Sequence, residues 1–340
     1  MIKFQKFFLF LGLCLLVIGP VSAYDFTLSV YGNANMDDII DEEDITYLKG
    51  IISGVKEKTQ FADANYDGIV NEDDISRIES IIAGDETEVT MVDCNERTVT
   101  MKVPLKRVVA AYPGAVTLIT TLDSFDTIVG VDENTIQNAD SQLFGQKYPE
   151  IKNLETVGTF SDINQEKILS LHPDVVISMS SSLEPDVADE IQKNTGVPVF
   201  FPNFNRVKYD DDGGYFENWR QTGILFGKQN RAEDLISLWN EEIGKVEDIT
   251  SSIPEDDKVK VYIAGFTKAG FEGTLCLYDP IDIAGGKNVA EGAAPTTNFG
   301  VLTISKEQII KWNPDVILIH RAGKEPWYPI EDIVSDPELG

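Results

Sequence analysis

One twelve-residue pattern occurs twice in this chain, and it constrains the fold more than any other feature. The first copy, EKILSLHPDVVI, runs from Glu166 to Ile177, and the second, EQIIKWNPDVIL, from Glu307 to Leu318. Glu, Ile, Pro, Asp and Val recur at matched offsets. In the first copy Ile168, Leu169 and Leu171 supply the apolar face of a short helix that Pro173 stops. Val175, Val176 and Ile177 then form the continuous apolar run of a buried parallel strand. In the second copy Ile309, Ile310 and Trp312 precede Pro314, and Val316, Ile317 and Leu318 follow it. A repeated helix-then-strand unit predicts two similar α/β lobes. Two such lobes enclose a cleft, where ligands bind.

The flanking sequence extends each unit. Arg97 to Val103 alternates as a strand does, Pro104 interrupts, and Arg107 to Ala111 reads as a buried strand. A helical stretch over 114–122, the strand in DTIVGVD, the segment TVGTF, a helix near 186–194 and the strand in VPVFFP complete lobe one, about 97–215. Residues 216–249 read as one long linking helix, strongest from Trp219 to about Val246 and weakened at Gly223 and Gly227. Lobe two covers about 254–340 and opens with the strand in KVYIAGF. It ends at Gly340 without the strand that follows the first copy, so a missing C-terminal strand and helix are expected.

At 340 residues the chain has room for two or three domains, and 42% hydrophobic content supports a sizeable core. The formal charge of −29 argues against nucleic acid and anionic lipid as partners, since both repel it. Lys3 and Lys6, the apolar run Phe7 to Ile18 and the small residues Val21-Ser22-Ala23 read as a signal peptide over residues 1–23. The run is short for a membrane span. Cys14 lies in mid-run after Leu13, which disfavours lipidation. An exported protein, extracellular or held at the cell surface, is expected. After cleavage only Cys94 and Cys276 remain; export permits a disulfide, but two isolated thiols are more often simply packed.

Between the signal peptide and the lobes, residues 24–88 carry a second repeat. DANYDGIVNEDD places Asp63, Asn65, Asp67, Ile69 (through its carbonyl), Asn71 and Asp74 at the ligand positions of a twelve-residue calcium loop, with Gly68 at the turn. NANMDDIIDEED repeats it with Asn33, Asn35, Asp37, Ile39, Asp41 and Asp44, but Asp38 replaces the turn glycine and is expected to strain the loop. Each loop leads into an amphipathic helix, carrying Ile45, Leu48, Ile51 and Ile52 or Ile75, Ile78, Ile81 and Ile82. Two Ca²⁺ sites follow. The pair of loop-plus-helix units resembles a dockerin domain, small and all-α, which implies a cohesin-like surface partner. The residues before the last ligand, Glu42-Glu43 and Glu72-Asp73, depart from the small hydroxyl residues of many dockerins, which favours a calcium-stabilised spacer.

From Arg97 onward, KRVVA, TIVGVD, VGTF, the two repeats and GGKNVA stand in an order similar to the solute-binding proteins of iron-complex and vitamin B12 ABC importers. The resemblance implies a class III periplasmic-binding-protein-like fold, α/β, with two parallel-sheet lobes joined by a helix. It implies a small-molecule metal chelate (ferric siderophore, haem or corrinoid) in the cleft and an ABC transporter permease as partner. It also implies that Glu166 and Glu307 dock on that permease, although a first-turn glutamate by itself merely offsets the helix dipole. Strand ends in parallel sheets face the binding crevice. That rule nominates Tyr112, Phe160, Ser180, Ser181, Asn203, Phe266, His320, Arg321 and Trp327 as ligand contacts. Each aromatic among them is as readily an ordinary core residue. His172, replaced by Asn313 in the second copy, reads as structural, and Gly285-Gly286-Lys287 lacks phosphate-loop spacing and reads as a turn. No nucleophile–base pair, paired carboxylates or metal triad stands out, so an enzyme is not expected. A calcium-dependent adhesion protein is the alternative function.

Overall fold

The computed structural model describes residues 26–159, 162–179, 183–202, 214–266, 269–295, 300–320, 333–335 and 337. The two copies of the repeat fold alike. Helix α3 (Gln165–Leu171) has Asn164 as its N-cap, accepting from Lys167 N, and ends at His172 in the left-handed region (φ 48°). Its counterpart, helix α7 (Lys306–Trp312), has Ser305 as N-cap and ends at Asn313, also at φ 48°. His172 therefore does the work of a helix C-cap. The aspartate after each proline then stitches two strands together. Asp174 Oδ2 accepts from Lys106 N and Arg107 N at 2.7 and 2.8 Å, while Asp174 N donates to Arg107 O at 2.7 Å. In lobe two, Asp315 Oδ2 accepts from Lys260 N at 2.9 Å and Asp315 N donates to Lys260 O at 2.8 Å.

Lobe one is a five-stranded parallel sheet. Its strands are β3 (Val108–Ala110), β4 (Ile128–Val131), β5 (Glu155–Thr156), β6 (Val175–Ile177) and β7 (Val199–Phe200), in the order β5-β4-β3-β6-β7. Alternate residues feed opposite faces: Val108, Ala110, Val175, Ile177 and Phe200 enter one apolar core, and Val109, Val176 and Val199 the other. Helix α4 (Pro185–Thr195) closes the second face with Ala188 and Ile191. Lobe two has a parallel sheet of β8 (Val259–Ala264), β9 (Gly286–Asn288) and β10 (Val316–Ile319), in the order β9-β8-β10, with an antiparallel pair, Gly273–Leu275 and Val301–Thr303, beside it. Here the expected burial fails. Val316, Ile317 and Leu318 are 41, 40 and 42% exposed, because among the described residues β10 pairs only with β8, whereas β6 lies between β3 and β7.

The linking segment also differs from expectation. Instead of one helix there are two, α5 (Gly214–Phe226) and α6 (Gln229–Thr250), separated at Gly227, whose φ of +62° no helix interior tolerates. The chain doubles back there, so that Arg220 meets Glu233 and Trp219 lies edge-on to Trp239 with centroids 6.1 Å apart. Helix α6, about 33 Å long at the usual rise per residue, reaches lobe two, where Thr250 Oγ1 donates to Ile283 O at 2.7 Å. Among the described residues no helix is long and apolar enough to cross a membrane.

The N-terminal module contains α1 (Glu42–Ile52) and α2 (Glu72–Ala83), packed together through Ile45, Leu48, Ala62, Ala64 and Ile78. The expected boundary at 88/89 falls inside a strand. β1 (Thr87–Val92) and β2 (Thr98–Val103) form an antiparallel hairpin, and Val30 bridges to Met91. Leu28, Val30 and Ile81 of the module share one apolar core with Val89, Met91, Val99, Met101, lobe-one residues including Val108, and Leu225 of α5. The module is thus packed onto lobe one.

Candidate functional site

The sheets present their C-terminal ends with chemically distinct residues on each lobe. Tyr112 follows β3 in an extended conformation and precedes the helix Pro113–Thr121. Burial raises its phenol pKa, and the charge of Asp132 adds to the shift. Asp132, at the end of β4, is fully buried; it accepts from Asn134 N at 2.9 Å and from Thr135 N at 3.2 Å. Burial raises its carboxyl pKa, opposed by the hydrogen bonds from Thr135 and Asn134. Ser178, after β6, is fully buried, and its Oγ has no partner among the described residues.

On lobe two, Phe266 follows β8 and His320 follows β10. Their rings stack with centroids 4.1 Å apart and an interplanar angle of 21°, and Tyr278 stands 6.2 Å from Phe266. His320 N donates to Ala264 O at 2.8 Å, which carries the sheet pairing up to the imidazole and aligns it with the phenyl ring. Two adjacent parallel strands thus deliver the residues just beyond their ends side by side. The expected lobe-two contacts Phe266 and His320 are brought together; Tyr112 lies on the other lobe. Phe160, Ser180, Ser181, Asn203, Arg321 and Trp327 lie outside the described residues. Asp132, Ser178 and Tyr278 were missed. The run TIVGVD already carried the signal for Asp132, as a strand followed by a polar residue. Tyr278 gave none, because it reaches Phe266 from the N-cap position of the helix Asp279–Ile283, not from a strand end.

Glu166 and Glu307 occupy equivalent first-turn positions of α3 and α7, and both are exposed. A backbone hydrogen bond at Glu307 itself and the Ser305 hydroxyl lower the Glu307 carboxyl pKa. Cys94 and Cys276 form no disulfide with each other.

The two N-terminal loops have parallel internal bonding. Asp74 accepts from Asn65 N at 3.1 Å and Asn71 N at 2.8 Å, and Asp44 accepts from Asn35 N at 3.1 Å and Asp41 N at 2.9 Å. Burial pushes the Asp44 carboxyl up to about 7, against the Asp41 and Asn35 hydrogen bonds and with a contribution from the Asp37 and Asp41 charges. Asp74 is raised for the same reasons, by burial first and by Asp63 and Asp67 in addition. Asn33 is fully buried, donates through Nδ2 to Leu28 O and Asp37 O at 2.9 and 2.6 Å, and its Oδ1 has no partner among the described residues. The expected strain at Asp38 is absent: Gly68 takes φ +91°, but Asp38 is not among the residues with positive φ. Among the described residues no three His, Cys, Asp or Glu side chains converge as a ready-made metal cluster.

The family model for periplasmic binding proteins matches residues 108–340, from the first residue of β3 onward. The chain belongs to the periplasmic binding protein family. The match leaves the N-terminal module and the hairpin outside it. Among curated relatives, the chain is 25% identical over 203 residues to the uncharacterized ABC transporter substrate-binding lipoprotein YvrC of Bacillus subtilis, covering 57% of this chain and 56% of that one. It is 26% identical over 215 residues to the molybdate-binding protein MolA of Haemophilus influenzae, covering 58% of each. The chain therefore spans less than two thirds of these relatives. In three dimensions it is similar to MolA bound to molybdate (TM-score 0.59, 21% identity, 74% of this chain and 78% of that one). It is also similar to a periplasmic solute binding protein from Veillonella parvula (TM-score 0.57, 22% identity, 75% and 74% covered). At these identities the likeness is one of fold.

Proposed function

We propose that the chain is the extracytoplasmic substrate-binding component of an ABC importer, exported by its signal peptide, which captures a small metal chelate between its lobes and delivers it to the membrane permease. The observation that carries this reading is the pair of matched lobes whose strand ends present Tyr112 on one side and the Phe266–His320–Tyr278 aromatic group on the other. Aromatic walls with few polar groups suit a bulky organic ligand, so a ferric siderophore, haem or corrinoid fits better than a bare oxyanion such as the molybdate that MolA binds. Arg321, next in sequence to His320, would pair with a carboxylate on such a ligand. Glu166 and Glu307, exposed at equivalent positions of the two lobes, are the docking pair for the permease.

The residues of the N-terminal loops fit Ca²⁺. Hard oxygen donors stand at calcium-loop spacing, Asn33 Oδ1 is buried without a donor, and carboxylates crowd around Asp44 and Asp74 with no cationic side chain among the causes of their shifts. Asp63, Asn65, Asp67, Asn71 and Asp74 would hold one ion with the Ile69 carbonyl, and Asn33, Asn35, Asp37, Asp41 and Asp44 the other with that of Ile39. This dockerin-like calcium module stabilises the protein. A cohesin-type partner would have to meet the acidic Glu42-Glu43 and Glu72-Asp73 and forms no part of the proposal.

The test is a fluorescence titration of the full chain with a ferric siderophore, haem, cobalamin and molybdate. Saturable micromolar or tighter binding of one of the first three supports the reading. Binding of molybdate alone would replace the chelate by an oxyanion, and binding of none would remove the solute-capture role.

A further inference from the structure

Neither solute capture nor a free-standing calcium module requires the polar bridge that joins the N-terminal module to the linking helices. Asp38 stands at the sixth position of the first loop, between Asp37 and Ile39, two of its expected oxygen ligands. Its carbonyl accepts from Arg220 Nη1 at 2.7 Å, and its carboxylate pairs with the same nitrogen. The other edge of the guanidinium meets Glu233 as a fork, with Nε to Oε1 at 2.7 Å and Nη2 to Oε2 at 3.1 Å. Arg220 lies on α5 and Glu233 on α6, so one arginine with a side chain 12% exposed ties the loop to both arms of the elbow. A second tie runs beside it, from Gln229 Nε2 to Ile81 O at 2.6 Å. Ile39, Arg220, Ile224 and Glu233 line a cavity of about 170 Å³ at this junction. The second loop differs in kind. A Cβ placed on Gly68 meets nothing within 4 Å, and Ile69 is 62% exposed.

We propose that the first loop is a calcium-dependent clamp on the lobe-linking elbow, and that the second loop binds calcium with local effect only. The inference rests on the calcium reading given above. Without a cation, Asp37, Asp41 and Asp44 repel one another in a half-buried loop. With one, oxygen coordination fixes the loop backbone on both sides of Asp38. The carbonyl and carboxylate of Asp38 are then held where Arg220 needs them, and Arg220 in turn holds Glu233. Calcium at the first loop thus sets how α6 leaves lobe one on its way to lobe two. Coupling of this kind is reciprocal, so the strength of the bridge must also appear in the calcium affinity of that loop.

The experiment measures hydrogen exchange of the α6 amides in the full chain, with calcium and with chelator, alongside calorimetric calcium titration. In the wild type, calcium should slow exchange in the first turns of α6 by about tenfold, within the usual range of coupling. The protection should survive Asp63→Ala with Asp67→Ala, which removes the second site. It should vanish in Arg220→Met, with the affinity of the first loop falling by the same factor and the second loop unchanged. Glu233→Gln serves the same purpose if Arg220→Met does not fold. Two calcium ions bound with no change in α6 exchange would overturn the clamp and leave the calcium reading intact. Absence of calcium binding would remove both.

Discussion

The aspartate of each repeat offers a quantitative test of how the sequence sets the geometry of the site. Asp174 accepts two backbone N–H groups, from Lys106 and Arg107, at 2.7 and 2.8 Å, and so holds the start of β3 against β6 in the register Val108↔Val175. That register decides where Tyr112 leaves the sheet. Hydrogen bonds to a charged group contribute about 1.5–3 kcal/mol each when buried. Asp174 is half-buried and Lys106 and Arg107 are exposed, so water recovers part of the loss. Asp174→Ala should then destabilise the protein by about 2–3 kcal/mol, which for a domain of this size lowers Tm by roughly 5–10 °C. Among the described residues Asp315 accepts from Lys260 N alone, so Asp315→Ala should cost about half as much. Asp174→Asn keeps an acceptor without the charge and should fall between Asp174→Ala and wild type. Differential scanning calorimetry of the three variants is the assay. A shift under about 1 °C for Asp174→Ala, or a larger loss from Asp315→Ala, would refute the argument that these carboxylates fix the strands.

Other outcomes follow from the site. Asp63→Ala with Asp67→Ala should reduce calcium stoichiometry by one and remove the tighter site, since the second loop keeps Asp63 and Gly68 where the first has Asn33 and Asp38; calorimetry with unchanged stoichiometry contradicts the ligand assignment. Glu166→Ala with Glu307→Ala should abolish uptake in cells while chelate affinity in solution stays nearly constant, and a large loss of affinity contradicts the docking role. Phe266→Ala should weaken chelate binding by about tenfold through loss of aromatic contact, measured by fluorescence titration. An unchanged affinity would mean that the Phe266–His320 stack serves lobe two alone.

Periodicity alone determined the two α/β lobes. The repeated helix, proline, aspartate and apolar run are local signals, and each local instruction is satisfied within a few residues or by the adjacent strand. The two N-terminal loop-plus-helix units were legible for the same reason, as was the position of Tyr112, Phe266 and His320 beyond strand ends. Tertiary structure decided what depends on distant partners. Gly223 and Gly227 could be read only as weak points in a helix, but the antiparallel contacts of Arg220 with Glu233 and Trp219 with Trp239 make Gly227 the corner of an elbow. Asp38 looked like a damaged turn until Arg220, far along the chain, gave its carboxylate and carbonyl a partner. The hairpin β1–β2 hides the boundary between module and lobe, because its residues alternate between two environments that sequence cannot assign to one side or the other. Val316, Ile317 and Leu318 match Val175, Val176 and Ile177 in chemistry but not in burial. An apolar run specifies what a strand would bury; which neighbours cover it is a property of the assembled sheet.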